Sequence, residues 1–301
     1  MSRADAHDRT VVIATRRSPL ARTQTDWVAE RLRGAGFTVE ILELVTTGDR
    51  WSAGGSGEAT RGLFVKELEE ALLDGRADLA VHSAKDLPVD LPDGLDVVAV
   101  PEREDARDVL VGVDGGLAAV LPGGVIGTGS ARRAAQVRGV RPDVECVEIR
   151  GNVGTRLEKL ARGDADALVL AAAGLNRLGL DAGDVVPLSV EECVPAAGQG
   201  ALAIEGREDD PVGRAVAAAI DDPVTRRCLD IERRILRGLG GGCREPIGVH
   251  ASLDGDDIDV RVFAAREDLT MATRDGMRVP SDDDDADAVD GLVARVIASL
   301  S

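Results

Sequence analysis

Tyrosine is absent from this sequence of 301 residues, and with three phenylalanines and two tryptophans the aromatic residues make up only 2% of it. The hydrophobic cores must therefore be built from valine, leucine, isoleucine and alanine. No apolar run approaches the length of a membrane span, and the first ten residues contain no signal-peptide core. We therefore expect an aliphatic globular protein of the cytoplasm.

Lysine is scarce in this sequence. Its three lysines are Lys66, Lys85 and Lys159, and arginine supplies the other Lys and Arg charges. Acidic residues outnumber basic ones, which gives a formal net charge of −18. Such a surface repels polyanions, so neither nucleic acid nor a membrane is expected as a partner. The composition is typical of halophilic proteins, in which molar salt shortens the Debye length to about 3 Å and leaves only close contacts effective. We expect a monomer that recognises its ligand through arginine contacts.

The cysteines and histidines do not show the spacing of a metal or redox site. No C-x-x-C pair occurs among the four cysteines, which are residues 146, 193, 228 and 243. His82 is interpreted as a residue that fills core space, and His7 and His250 have no recognisable partners, so neither a metal site nor a Ser-His-Asp triad is expected. The acidic run at 282–285 is interpreted as a solvated surface. Cys243 follows three glycines in a predicted loop, where a packed thiol and a reactive thiol are both compatible with the sequence.

Short β-branched apolar runs alternate with helical patterns, which predicts an α/β fold. The predicted strands are residues 11–14, 39–45, 79–81, 109–111, 125–126, 144–149 and 167–170. The first helix should begin at Pro19, with Ser18 as its N-cap. No internal repeat is apparent.

The last third of the chain has a different pattern, which predicts a smaller α+β region. A helix should run from residue 224 to the glycines at 240–242. It is followed by predicted strands at 247–250 and 258–264 and by an amphipathic helix at 289–300. Two segments, 101–107 and 195–200, have loop-like compositions and are predicted to cross between domains.

Lys85 and Asp86 directly follow the buried strand at 79–81. This order places both side chains at the carboxyl end of a sheet, where open α/β folds bind ligands. An adjacent pair of opposite charges is more often an ordinary surface feature. Position alone therefore makes this pair a candidate and no more.

Arginines occur at three strand-to-helix junctions, residues 15–19, 128–133 and 150–156. Backbone N–H groups at a helix N-terminus, together with guanidinium groups, form an anion site. The alternative is that these arginines pair with the abundant carboxylates of the chain. Because the arrangement occurs at three strand ends, we favour an arginine-lined cleft for an anion.

Several motifs occur in order along the chain. They are I-A-T-R-R-S-P-L-A at 13–21, R-G-L-F-V-K-E-L-E at 61–69, V-H-S-A-K-D-L-P at 81–88, G-T-G-S-A-R-R at 127–133, R-G-N-V-G-T-R at 150–156, A-G-Q-G-A at 197–201 and G-G-G-C at 240–243. Together they closely resemble the porphobilinogen deaminase family, whose members are also called hydroxymethylbilane synthases. The resemblance covers nearly the whole chain.

The resemblance implies two α/β domains like those of periplasmic binding proteins, flanking a cleft, and a smaller C-terminal α+β domain. On this interpretation domain 1 comprises residues 1–102 and 200–219, domain 2 comprises 107–197, and domain 3 comprises 222–301. The third domain would present the cysteine loop.

The resemblance also implies a reaction. Members of the family attach a dipyrromethane cofactor to a cysteine through a thioether and extend it by four porphobilinogen units. Hydrolysis then releases the linear tetrapyrrole hydroxymethylbilane. The matching cysteine is Cys243, and porphobilinogen is the expected substrate.

The implied site residues are those that match the motifs of the family. Asp86 is the implied catalytic residue, expected to stabilise positively charged pyrrole intermediates and to assist proton transfer. The residues implied to bind the cofactor are Lys85, Asp86, Thr128, Ser130, Arg132, Arg133 and Cys243. Those implied to bind the substrate or the growing chain are Arg16, Ser18, Gln24, Arg150, Arg156 and Arg177.

The sequence departs from the common family pattern at a few positions. Arg61 stands where many members have lysine, Gly129 where serine is frequent, and residues 56–60 lack a lysine that is common in this loop. Two other functions remain compatible with the residues. A binding or sensor protein for a small acidic ligand would need neither Asp86 nor Cys243, and a phosphate-binding transferase would lack a Walker-type loop here.

Overall fold

The protein is described from a computed structural model, in which residues 9–46, 65–241, 245–266, 268, 270–281 and 286–301 are described. In chain order the strands are β1 Thr10–Arg16, β2 Thr38–Leu44, β3 Leu79–Ser83, β4 Leu95–Ala99, β5 Asp108–Val111, β6 Val125–Gly127, β7 Glu145–Val147, β8 Ala167–Ala171, β9 Val185–Pro187, β10 Leu202–Arg207, β11 Ile247–Asp254, β12 Asp257–Ala265 and β13 Ala272–Pro280. The α-helices are α1 Pro19–Gly34, α2 Lys66–Leu73, α3 Ala131–Val140, α4 Val153–Ala161, α5 Ala172–Leu178, α6 Pro211–Ile220, α7 Pro223–Gly238 and α8 Ala286–Leu300.

The chain divides into two compact units, one formed by Met1–Arg103 with Ala201–Arg226 and the other by Glu104–Gly200 with Arg227–Ser301. Two of the three crossings lie within or next to the segments 101–107 and 195–200, where the sequence predicts them. The third crossing lies inside α7. The bounds of the three predicted domains stay predictions.

The first unit contains a five-stranded sheet with the order β2-β1-β3-β10-β4. Strands β1, β2 and β3 are parallel, and β10 runs antiparallel to both of its neighbours. Helix α1 begins as predicted, since the Ser18 Oγ accepts a hydrogen bond from the Ala21 N–H at 3.3 Å and Pro19 occupies the first helical position. It buries Val28 and Leu32 against the sheet. The carboxyl ends of β1 and β3 therefore lie side by side at one edge.

The second unit repeats this topology, with the sheet order β7-β6-β8-β5-β9, parallel β6, β7 and β8, and an antiparallel β5.

The two sheets also share a local pattern of hydrogen bonds. Asp78 donates its N–H to the Val12 carbonyl and accepts the Val12 N–H at 2.9 Å, and Asp166 does the same with Val125, accepting its N–H at 2.7 Å. Both aspartates end a Gly-x-Ala-Asp segment. The fold is therefore repeated, although no repeat was predicted from the sequence.

A three-stranded antiparallel sheet, β11-β12-β13, lies in the C-terminal part of the second unit. Its core combines apolar residues of α7, the sheet and α8, among them Ile235, Val260 and Leu292. The two α/β sheets and this smaller α+β region confirm the predicted fold class. Within the described residues, no helix is long and apolar enough to cross a membrane.

Gly200 lies at one of the crossings in a conformation that favours glycine. Its φ is +85°, and its carbonyl accepts hydrogen bonds from the Glu104 N–H at 3.1 Å and from Arg177 Nη2 at 2.8 Å. A Cβ at this position would overlap the Glu104 carbonyl oxygen and approach the Ala106 Cα to 3.2 Å. Both obstructing atoms belong to the backbone, which cannot move aside as a flexible side chain would.

We expect Gly200→Ala to lower the free energy of unfolding by about 2 kcal/mol or more, because it combines a left-handed φ with a backbone clash. Urea denaturation measures the change. The matched control is Gly139→Ala in α3, where a Cβ would meet no atom within 4 Å. Since alanine is the better helix former, this control should shift stability by no more than about 1 kcal/mol, towards higher stability. Equal destabilisation by both changes would contradict the prediction.

Candidate functional site

A short 3-10 turn, Ala84–Asp86, follows β3 and carries the Lys85–Asp86 pair. Ala84 is buried and donates its N–H to the Ala201 carbonyl at 3.0 Å, and Leu87, also buried, closes the turn. Lys85 is half-buried and Asp86 is exposed. The backbone of the turn is thus fixed on both sides while the Asp86 carboxylate stays accessible.

Arg16, Ser18 and Gln24 come to the same edge of the first unit. Arg16 ends β1, which pairs in parallel with β3, and Ser18 caps the helix that follows. Gln24 is buried, and its Nε2 donates to the Ser83 Oγ at 2.8 Å. Gln24 therefore holds the end of β3 in place, and Ser83 is a site candidate that sequence reasoning did not single out. The substrate-binding roles of the three predicted residues stay predictions.

A buried polar pair lies behind this edge. His82 Nε2 is 2.9 Å from Glu205 Oε2, and both side chains are almost fully buried. Sequence reasoning treated His82 as a core residue, and it gave no signal for Glu205, which reaches the pair from the neighbouring strand β10.

In the second unit, Thr128 and Ser130 connect β6 to α3. The Thr128 N–H donates to the Val147 carbonyl at 2.9 Å, and the Thr128 Oγ1 accepts the Ser130 N–H at 3.2 Å. The Ser130 Oγ caps the helix by accepting the Arg133 N–H at 3.5 Å. These contacts fix the strand-to-helix junction that the sequence predicts, and its role as an anion site stays a prediction.

Arg132 and Arg133, in the first turn of α3, are both buried and share one carboxylate. Arg132 Nη1 donates to Asp108 Oδ2 at 2.6 Å, and Arg133 Nη2 donates to Asp108 Oδ1 at 2.8 Å. Burial by itself would raise the pKa of the Asp108 carboxyl, but the two guanidinium groups outweigh it and hold the pKa well below its usual range. Asp108 was not predicted as a site residue.

Cys193 lies beside this cluster and is not a reactive thiol. Burial, and then the nearby Asp108 carboxylate, raise the pKa of the Cys193 thiol to about 12. The thiol is therefore neutral at ordinary pH, and it donates to Asp108 Oδ2 at 3.2 Å.

The remaining predicted arginines lie at two helices of the second unit. Arg150 is exposed just before α4, whose N-cap is Asn152, and Arg156 Nε donates to the Gly151 carbonyl at 2.7 Å. Arg177, near the end of α5, is largely buried, which lowers the pKa of its guanidinium to about 10. The roles of these arginines in substrate binding stay predictions.

Some predicted positions cannot be placed. Cys243, Arg61 and residues 56–60 lie outside the described residues. Within the part of the chain that is described, no group of three or more His, Cys, Asp or Glu residues could hold a metal ion.

Comparison with known proteins supplies the deciding observation. Residues 11–214 match the family model described as "Porphobilinogen deaminase, dipyromethane cofactor binding domain", and residues 226–294 match "Porphobilinogen deaminase, C-terminal domain". The chain belongs to the porphobilinogen deaminase family. A porphobilinogen deaminase of Thiobacillus denitrificans is 45% identical over 95% of this chain and 94% of its own length, and one of Oceanobacillus iheyensis is 44% identical over 90% and 89%.

Some solved structures of other kinds of protein align with this chain at low similarity. A nutrient binding protein of Burkholderia cenocepacia aligns over 68% of this chain and 89% of its own, with 14% identity and a TM-score of 0.41. A likeness of this size carries no conclusion about function.

The described residues fit the dipyrromethane group that the family model names. A group that carries several carboxylates needs guanidinium, hydroxyl and backbone N–H donors. Such donors occur at the carboxyl ends of the parallel strands in both units, at Arg16 and Lys85 in the first and around Ser130 and Arg150 in the second. The buried arginine pair has only one carboxylate between its two charges, which leaves it with an excess of positive charge.

Proposed function

We propose that the protein is a hydroxymethylbilane synthase, which deaminates four porphobilinogen molecules, joins them head to tail on a covalent dipyrromethane primer, and releases the linear tetrapyrrole by hydrolysis. The observation that carries this proposal is the match of both family domains over residues 11–214 and 226–294, with Lys85 and Asp86 on a fixed turn at a strand end. The alternative of a non-enzymatic sensor is not favoured, because the curated relatives are named as deaminases.

The primer, when bound, would supply the pyrrole carbon that reacts with the first incoming unit, and the last unit of the growing chain would supply it for each later one. Its proposed attachment point is Cys243. Arg132, Arg133 and Lys85 are proposed to bind its carboxylates, with the Thr128 and Ser130 hydroxyl groups as further donors. Burial of the arginine pair supports this role, since a carboxylate bound in a low-dielectric setting is held more strongly than one in water.

The substrate and the growing chain add more carboxylates, for which further cations are required. We propose that Arg16, Arg150, Arg156 and Arg177 meet them, with Ser18 and Gln24 assisting. The largely buried Arg177 would interact strongly with a carboxylate that replaces its contact with the Gly200 carbonyl.

Asp86 is proposed to be the catalytic group. Loss of ammonia from porphobilinogen leaves an electron-poor substrate, and positive charge then develops on a pyrrole nitrogen. A carboxylate on a rigid turn stabilises that charge without having to reorganise, and it can accept or return a proton at Oδ1 or Oδ2. The exposure of Asp86 supports a direct contact with substrate.

We also propose that the enzyme works as a monomer in the cytoplasm and at high salt. The net charge of −18 and the scarcity of lysine support the last point, because close arginine contacts survive when long-range attraction is screened.

Turnover of porphobilinogen tests the proposed function. Purified protein incubated with porphobilinogen should release four equivalents of ammonia for each linear tetrapyrrole detected by mass spectrometry. Heat-denatured protein serves as the control. Saturable binding of porphobilinogen without release of ammonia would support the sensor instead and overturn the proposal.

A further inference from the structure

Asp108 brings together two guanidinium groups that the helix geometry alone would separate. Side chains of consecutive helical residues point about 100° apart around the axis. Arg132 and Arg133 nevertheless converge, since Arg132 Nη1 donates to Asp108 Oδ2 at 2.6 Å while Arg133 Nε and Nη2 donate to Oδ1 at 3.0 Å and 2.8 Å. The common acceptor is fully buried at the first position of β5. Asp108 therefore defines where both groups lie.

The two arginines differ in how completely the protein engages them. Every guanidinium nitrogen of Arg133 has an acceptor, because Nη1 also donates to the Val169 carbonyl at 3.3 Å. Arg132 uses only Nη1, which donates to Asp108 and to the Val194 carbonyl at 2.6 Å. In the described part of the chain, no acceptor is hydrogen-bonded to its Nε or Nη2. These two atoms form the parallel pair of donors that takes a carboxylate in a bidentate manner.

The net charge of the cluster also favours an anionic ligand. Two guanidinium groups face one carboxylate, and the Cys193 thiol beside them is neutral, so one positive charge remains. Arg132 is only 4% exposed. Because the single Asp108 carboxylate does not balance both guanidinium charges, the Nε–Nη2 edge of Arg132 favours a bound anion.

Asp108 is itself held in place by a neutral donor. Gln199 Nε2 donates to Asp108 Oδ1 at 2.8 Å and to the Ala106 carbonyl at 2.7 Å. Gly198, which precedes Gln199, donates its N–H to the buried Glu232 carboxylate of α7 at 2.6 Å. The segment just before Gly200 therefore helps to fix the position of Asp108, through the side chain of Gln199.

We propose that Asp108 is a positioning residue for the reaction: it holds Nη1 of Arg132 and both Nε and Nη2 of Arg133, so that the Nε–Nη2 edge of Arg132 meets a single ligand carboxylate. This inference rests on the proposed function, under which that carboxylate belongs to the dipyrromethane group. Asp108 makes no contact with ligand in this scheme and acts only through the arginines.

Two replacements of Asp108, made in the full chain and purified with its cofactor, separate position from charge. Asp108→Glu keeps the charge and moves the carboxylate by one methylene group, while Asp108→Asn keeps the shape and removes the charge. Intact-mass measurement gives the fraction of folded protein that carries the covalent adduct, and thermal unfolding gives the stability independently. We expect the adduct fraction to fall about tenfold in both variants, as for loss of one charge-assisted contact.

The matched control is Asp164→Asn, which removes an exposed ion pair with Arg162 in the same unit and should load like the wild type. A third variant, Arg132→Lys, keeps the charge but lacks the paired donors, and it should share the loss of adduct. If Asp108 served only stability, folded Asp108→Glu would carry the adduct as often as the wild type, whatever its melting temperature. That result, or normal loading of Arg132→Lys, would overturn the inference.

Failure of the proposed function would be distinguishable from these results. In that case the wild type itself would carry no adduct and would not turn over porphobilinogen. Normal loading and turnover of the wild type, with normal loading of the Asp108 and Arg132 variants, would remove only the inference about Asp108.

Discussion

Asp86→Asn is expected to lower kcat by roughly two to three orders of magnitude, the range found when one preorganised electrostatic group is removed from an active site. Asparagine has nearly the same shape as aspartate and can stay on the same turn, because the buried neighbours Ala84 and Leu87 hold the backbone. The replacement removes only the negative charge and the ability to take up a proton. We therefore expect weaker stabilisation of the transition state, with little change in substrate binding.

The split between kcat and KM tests this interpretation. Lys85 and the arginines remain, so the KM for porphobilinogen should change by no more than about threefold while kcat and kcat/KM fall together. Steady-state assays of ammonia release measure both constants. Intact mass should show the adduct retained, which separates a catalytic defect from failure to load the cofactor.

Asp93→Asn provides the matched control for this prediction. Asp93 is an exposed aspartate between the same turn and β4. Its replacement removes an equal charge from the acidic surface and should leave kcat within about twofold of the wild type, since exposed charges contribute little. A similar loss in both variants would mean that general surface charge is responsible, and the catalytic role of Asp86 would be abandoned.

Local sequence signals were sufficient for the elements that surround the site. Ser18 and Pro19 mark the start of α1 because an N-cap and a first-turn proline act within a few residues. The apolar period after residue 224 likewise predicts a helix that runs to the glycines at 240–242, and α7 ends at Gly238. The strands β3, β6 and β8 are short apolar runs with few alternatives.

Elements that depend on distant pairing could not be found in this way. β10 is inserted between β3 and β4, although about 120 residues separate it from β3 in the chain, and nothing in its own pattern indicates its partners. β13 carries alternating charges and small residues that do not resemble a strand, and it is ordered by pairing with β12. The repeat of the α/β sheet was missed for a similar reason. The two sheets share their strand order, but most of their residues differ, so the sequence shows no repeat.

The candidate site shows the same division between local and distant signals. The motifs predicted Arg132 and Arg133 as anion ligands, and the structure confirms only that they lie in the first turn of a helix that follows a strand. The sequence could not reveal that Asp108 lies between them, because Asp108 stands between the predicted crossing at 101–107 and the predicted strand at 109–111 and was assigned to neither. A buried aspartate has no local signature. Only the fold shows which of the many carboxylates is removed from water.

The choice of attachment residue can be argued by comparing the cysteines. A thioether forms from a thiolate, so the attachment residue needs an accessible thiol whose pKa is not raised. Cys193 has a pKa of about 12, Cys228 is buried in an apolar core, and burial raises the pKa of Cys146. None of these three meets the requirement. This comparison supports Cys243, which follows the glycines of the G-G-G-C motif.

Cys243→Ser is therefore expected to abolish the covalent adduct, because a serine hydroxyl is a much weaker nucleophile than a thiolate. Intact mass of the purified variant should equal the mass calculated from its sequence, whereas the wild type should be heavier by the primer. Turnover of porphobilinogen should fall to the background rate. Cys146→Ser is the matched control, since Cys146 is the most accessible of the three described cysteines and its replacement should leave the adduct in place. Retention of the adduct in Cys243→Ser together with its loss in Cys146→Ser would place the attachment at Cys146 and contradict the assignment, because the raised pKa of that thiol would then not have prevented the bond.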